Sequence, residues 1–248
     1  MPPSPRRSRS TAEIPTAPLS STAPPTLTSA EVKEVDALAQ ERFGISVEWL
    51  MEAAGWQVAR FCGDPTTVVC GIGNNAGDGL AAARHIHRWG RLVSVCCIDA
   101  QRLKGPAARE LDALRRVGVD VSTELHLEHS ATIVDAIFGT GVSRAPDGRF
   151  AEWIDAINAS RSRVVAVDVP SGLDSDTGVA YAPTVRADLT VTLGLPKPGL
   201  AGADGPRLCG DVWLADIGVP FEAYAAVGAD VPPDLFSAAD RVHLVVAR

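Results

Sequence analysis

No apolar stretch in this chain comes near the roughly 18–20 uncharged residues that a helix needs to cross a bilayer, which excludes a spanning helix. No stripe of Lys and Arg interrupts the body either. With a formal net charge of −7, the chain is not expected to bind nucleic acid. Cysteine is scarce: Cys62, Cys70, Cys96, Cys97 and Cys209 are odd in number and lack C-x-x-C spacing. That excludes a disulfide framework and a structural zinc site, and makes a reducing compartment the default. A secretory apolar core is also missing from the start of the chain. What is present, 46% hydrophobic and 21% charged residues over 248 positions, suits a soluble globular protein of one large domain or two small ones.

Residues 1–27 differ from the rest. They hold seven prolines, nine Ser or Thr, three arginines and the single acid Glu13. Such a segment buries too little apolar surface to offset its ordering entropy, so it is expected to be a disordered tail. Its Arg/Ser-rich, acid-poor composition also fits a mitochondrial transit segment, although an amphipathic pattern is lacking.

Beyond it, helical and strand patterns alternate. Thr28 and Glu31 form a capping box opening a helix with Val32, Val35, Ala39 and Phe43 at apolar positions. A second helix follows Ser46. Strands are expected at 66–70, 92–98, 119–121, 132–138, 164–167, 189–193 and 213–215. Further helices are expected up to Trp89, at 106–117 and at 150–159. Alternation of this kind predicts an α/β architecture, a parallel sheet covered on both faces. Ligands of such sheets sit beyond the carboxyl ends of the strands, where all the Gly/Asp-rich segments of this chain fall. Cys96 and Cys97 point to opposite strand faces, and Trp153 and Ile157 read as packing.

Three of these segments can carry chemistry. Gly71 to Gly79 (GIGNNAGDG) follows a strand, and its first six residues fit the dinucleotide fingerprint G-x-G-x-x-A. The extra Gly77-Asp78-Gly79 is expected to prolong the loop before the helix. No Gly-Lys-Ser/Thr follows, so it is not a Walker A loop. In the second segment, Asp135 lies inside an apolar strand, which is costly unless the charge is paired or coordinated. The Gly139-Thr140-Gly141 turn then offers backbone N–H groups to an anion. In the third, Asp168 ends an apolar run and Pro170-Ser171-Gly172 follows. Asn75, Asp135 and Ser171 would together supply only hard oxygen ligands, which suits an alkali or alkaline-earth cation and not zinc. Lys197, between two prolines, would either touch a phosphate or be solvated. His85 and His87, two apart on a helix, are poor joint metal ligands.

Residues 73–84, 134–141 and 167–174 resemble, in order and spacing, signature blocks of the NAD(P)H-hydrate epimerase family, the YjeF N-terminal domain. So do Leu50–Gly55, Ala187–Gly194 with Pro196–Gly199, and Asp216–Pro220. The resemblance covers about residues 28–222. It implies a Rossmann-like three-layer αβα sandwich with a mostly parallel central sheet, formed by an epimerase domain over 28–235 with a tail or linker at 236–248. It implies an isomerase that interconverts the R and S forms of NADH and NADPH hydrated at nicotinamide C6 (NADHX and NADPHX). Asp168 would be the catalytic proton carrier. Substrate would be bound by Asn74, Asn75, Ala76, Gly77 and Asp78, by Gly139, Thr140, Gly141, Val142, Ser143, Arg144 and Ala145, and by Asp168. A potassium ion would be held by Asn75, Asp135 and Ser171.

The resemblance further implies a cytoplasmic homodimer working with an NAD(P)H-hydrate dehydratase. Two departures stand out. Ala76 replaces a glycine, at a cost of about 1 kcal/mol if that position needs positive φ, and Ala53 stands where the family generally has asparagine. The competing reading is a non-catalytic nucleotide-binding scaffold of the same family, against which the presence of Asn75, Asp135, Asp168 and Ser171 argues. An ordinary dehydrogenase is disfavoured by the extended Asn-Asn loop and the lack of a Tyr-x-x-x-Lys motif or an obvious catalytic His.

Overall fold

The computed structural model describes residues 23–246. Most of the expected N-terminal tail (1–22) lies outside the described residues. Among the described residues no helix is long and apolar enough to cross a membrane.

Eight strands form one sheet: β1 (Thr66–Cys70), β2 (Leu92–Cys97), β3 (Val121–Ser122), β4 (Thr132–Ala136), β5 (Arg163–Val167), β6 (Leu189–Leu193), β7 (Asp211–Ala215) and β8 (Arg241–Leu244). Their order is β3-β2-β1-β4-β5-β6-β7-β8. All neighbours pair in parallel except β7 and β8. The α/β expectation and its mostly parallel sheet hold. The segment 236–248, expected to be a tail or linker, instead supplies β8. Its Arg241 is buried with the guanidinium over the Phe61 ring.

The helices are α1 (Ser29–Glu41), α2 (Val47–Ala59), α3 (Asn74–Arg88), α4 (Gly105–Arg116), α5 (Gly148–Ala159), α6 (Gly205–Leu208) and α7 (Phe221–Ala226). Alternation along each strand divides the core. Val68, Cys70, Val134, Val165 and Cys97 pack against Val58, Leu80, Ile86 and Leu114 of α2, α3 and α4. Val69, Cys96 and Ile133 face Trp153, Ile154 and Ile157 of α5 on the other side. All five cysteines are free and buried.

The capping box of α1 is present, Thr28 and Glu31 satisfying each other's backbone. The same end is fastened across the fold, because Ser29 N and Oγ donate to the Asp176 carboxylate at 2.6 and 2.8 Å. Leu27, expected in the disordered tail, is buried and donates its N–H to Pro196 O at 2.9 Å.

Residues 74–79 do not prolong a loop: α3 starts at Asn74, directly after Gly73. Ala76 is helical, fully buried and free of positive φ, so its substitution for glycine carries no backbone strain. The small residues serve packing instead. A Cβ on Gly77 would come within 2.5 Å of the Met51 side chain of α2.

At the α2–α3 crossing, a Cβ on Gly55 would sit 2.4 Å from Ala81 Cβ and 2.7 Å from backbone atoms of Ala81 and Ala82. Backbone cannot swing aside as a side chain can, so Gly55→Ala forces the helices apart. We expect it to cost about 2–3 kcal/mol and to lower Tm by roughly 5–10 °C. A melting curve within 1 °C of the wild type would show that the crossing is loose.

Candidate active site

The strand order reverses between β1 and β4, the switch point at which open α/β sheets bind ligands. A cavity of about 420 Å³ opens there. Its walls come from the β1–α3 turn, the turn after β4, the carboxyl ends of β5 and β6, and the inner faces of α1 and α2.

The start of α3 is built to receive an anion. Its N-cap residue is Gly73, and no side chain caps the first turn, so the leading amides and the positive end of the helix dipole are free to face a ligand. Asn74, Asn75 and Asp78 line the cavity from this helix, and Gly139, Thr140 and Gly141 line it from the turn after β4.

Beneath these turns lies a buried oxygen cluster. Asp135, completely buried in β4, accepts from Ser171 N (2.8 Å) and Ser171 Oγ (2.6 Å) and from Ile137 N at 3.2 Å. Asn75 Nδ2 donates to Phe138 O at 2.8 Å, and Phe138 N donates to Ser171 Oγ at 2.8 Å. Burial pushes the Asp135 carboxyl up to about 6 against the lowering effect of the Ser171 bonds. The expected trio of Asn75, Asp135 and Ser171 is thus brought together. Their donor set is all oxygen with a single carboxylate, and among the described residues no cluster of three or more His, Cys, Asp or Glu exists to hold a metal. Such a set of hard oxygen donors fits an alkali or alkaline-earth cation and not zinc.

Asp168 is buried at the end of β5 with φ +66°, a left-handed conformation that a non-glycine residue takes only where its surroundings hold it. What holds it is visible. Oδ1 accepts from Leu193 N at 3.2 Å, from Thr192 Oγ1 at 3.4 Å and from the Lys197 ammonium. Among the described residues all these bonds fall on Oδ1, leaving Oδ2 for a ligand. Lys197 is not solvated, one of the two outcomes that its sequence context suggested. It is 2% exposed and is anchored to Leu193 O at 2.9 Å as well as to Asp168.

Two further carboxyls enter the same cavity: Asp78 from α3 and Asp36 from α1. Burial drives the Asp78 carboxyl well above its ordinary range, and the charges of Asp168 and Asp36 push it the same way. Asp36 was missed in the sequence, although it stands four residues after Val32, an acid on the edge of the apolar stripe.

Of the other expected substrate residues, Ala76 and Gly77 face the buried side of α3. Val142, Ser143, Arg144 and Ala145 run on beyond the cavity-lining turn, and all but Val142 are exposed. His85 is buried, its Nε2–H donating to the Glu52 carboxylate at 3.0 Å, and it does not line the cavity.

An αβα sandwich with a helix N-terminus, a Gly-Thr-Gly turn and an ion-paired aspartate around one switch-point cavity defines an α/β protein with a ligand-sized site at the carboxyl edge of its sheet. Residues 47–199 match the family model described as YjeF-related protein N-terminus, and the chain belongs to that family. It is 36% identical over 210 residues to the NAD(P)H-hydrate epimerase of Dehalogenimonas lykanthroporepellens, covering 79% of this chain and 83% of that one. It is 34% identical to the NAD(P)H-hydrate epimerase of Rhodopirellula baltica, covering 80% of this chain and 86% of that one. The bifunctional NAD(P)H-hydrate repair enzyme of Thermofilum pendens is 41% identical over 77% of this chain, which spans only 39% of that longer protein. The crystal structure of yeast ynu0, YNL200c, superposes with a TM-score of 0.76 at 25% identity, covering 89% of this chain and all of that one.

Proposed function

We infer that this chain is an NAD(P)H-hydrate epimerase, interconverting the R and S forms of NADHX and NADPHX. The observation that carries the reading is the presence of an intact, ion-paired Asp168 in the same cavity as an uncapped helix N-terminus, within a family whose relatives bear that name. A scaffold has no need of a buried aspartate ion-paired with a buried lysine.

The chain's residues divide the work. The first-turn amides of α3 and the Gly139–Gly141 turn bind the pyrophosphate. Inverting C6 requires the hydroxyl to leave from one face and water to return on the other. Asp168 Oδ2, open to the cavity, exchanges a proton with that oxygen. Lys197 fixes the carboxylate and supplies its counter-charge. Asn75, Asp135 and Ser171 would hold a potassium ion, whose charge would offset the buried carboxylate and tie the start of α3 to the turn after β4. Pairing with an NAD(P)H-hydrate dehydratase belongs to this reading and is supported by the bifunctional relatives. A cytoplasmic homodimer, implied by the family resemblance, completes it.

The test uses a mixture of R and S NADHX with an S-specific dehydratase and ATP or ADP, with and without potassium. The protein should speed consumption of the slow R fraction beyond its spontaneous epimerisation, and potassium should raise that rate. Folded protein that binds nucleotide yet gives no acceleration would turn the assignment to the scaffold reading.

A further inference from the structure

We propose that Asp36, carried into the cavity by α1, is a second catalytic carboxyl that works opposite Asp168, one carboxyl serving each face of the nicotinamide ring. The proposal rests on the epimerase reading and deepens it.

Inversion at C6 needs chemistry on both faces. On one face the C6–O bond breaks, its electron pair leaving with the oxygen as a carboxylic acid delivers a proton. Water departs and the ring is left as an iminium cation. On the other face water adds to C6 and loses a proton to a carboxylate. One carboxyl must therefore start protonated and the other ionised. Turnover moves one proton from the first to the second, and exchange with solvent restores the starting state. The reverse epimerisation uses the same pair with exchanged roles.

The cavity supplies such a pair from separate walls. Asp168 stands at the end of β5, ion-paired with Lys197. Asp36 stands on α1, beside the cavity-lining Val32, Val35 and Leu50. Among the described residues no hydrogen bond engages the Asp36 carboxyl, whereas Asp168 accepts three.

The charged and titratable neighbours of Asp36 are Lys33 on its own helix, Asp78 of α3, Asp168 after β5, Lys197 after β6 and Tyr224 of α7. Three carboxyls face one buried ammonium, so full ionisation is disfavoured and the site retains a proton. Burial pushes the Asp36 carboxyl up to about 6, Lys197 opposing and Asp168 adding to the rise. Asp36 can therefore both hold and release a proton near neutrality. The clamp of Asp176 on Ser29 places the helix that delivers it.

The experiment compares wild type, Asp36→Asn and Asp36→Glu in the coupled NADHX assay from pH 5 to 8, with the spontaneous rate subtracted at each pH. With Asp36 as the proton donor in the R-to-S direction and the Lys197-paired Asp168 as the acceptor, the wild-type rate should fall as pH rises past about 6, where Asp36 loses its proton. Asp36→Asn should lower kcat about 10²-fold, leave KM within threefold and abolish that fall, and Asp36→Glu should recover part of kcat. Asp36→Asn with kcat within threefold of wild type and an unchanged profile would overturn the role of Asp36 and leave the epimerase reading standing. A raised KM with unchanged kcat would also overturn it, by making Asp36 a binding group. If Asp36→Asn does not fold, the wild-type profile decides, and a flat one overturns the proposal. Wild type that gives no acceleration sinks the epimerase reading itself, and this proposal with it.

Discussion

Asp168→Asn is expected to lower epimerisation by about 10³-fold while the protein remains folded. Asparagine tolerates the left-handed backbone of this position as aspartate does. Its amide oxygen can still accept from Leu193 N and from Lys197, so the turn keeps its shape. What disappears is the group that can take a proton from water or return one. The substitution also leaves Lys197 without its ion-pair partner, so some loss of Tm is expected alongside the kinetic effect. Circular dichroism and nucleotide binding should therefore be measured with the rate. Asp168→Ala is the less informative change, because it removes every acceptor and places a methyl-bearing residue at φ +66°. An Asp168→Asn protein with near wild-type turnover would remove Asp168 from the chemistry.

The largest effect on stability should come from Lys197→Met. The ammonium is almost completely buried and neutralises Asp168 in a cavity that also holds Asp36 and Asp78. Removing it strands a buried carboxylate among like charges, a class of change that costs about 3–5 kcal/mol. For a domain of this size that lowers Tm by roughly 6–20 °C. The double variant Lys197→Met/Asp168→Asn provides the control: with the charge gone as well, it should melt above the Lys197→Met single variant. If Lys197→Met melts with the wild type, the ion pair contributes nothing to the fold.

The sequence patterns revealed the alternation of strands and helices, the edge at which the glycine-rich segments gather, and the acids Asp135 and Asp168. These are signals of local composition: a charge inside or at the end of an apolar run stands out without knowledge of its neighbours. The start of α3 was misread for the opposite reason. Asn, Gly and Asp have low helix propensity, so 74–79 looks like loop, and only the close packing of α2 and β4 shows why small residues there build a helix. Lys197 stands out between its two prolines, but its role is not local, since its partner lies 29 residues away and is brought near only by the pairing of β5 with β6. The strand β8 escaped because four residues after a long irregular segment carry no periodic signal, and its edge position is set by β7. Asp36 was hidden in an amphipathic helix, where an acid beside the apolar stripe is ordinarily taken for its solvated edge.

The burial of the cysteines has a consequence for how the molecule meets oxidants and alkylating agents. Burial pushes the thiol of Cys97 up to about 11, and those of Cys62 and Cys209 up to about 12. At neutral pH the native protein therefore presents almost no thiolate to attack. Modification must wait for the layers to part. Cys70 and Cys97 lie under α2–α4, Cys96 under α5, and Cys209 in a separate cluster with Val169 and Leu173. The order in which they become alkylated is thus a chemical record of which side of the sheet uncovers first.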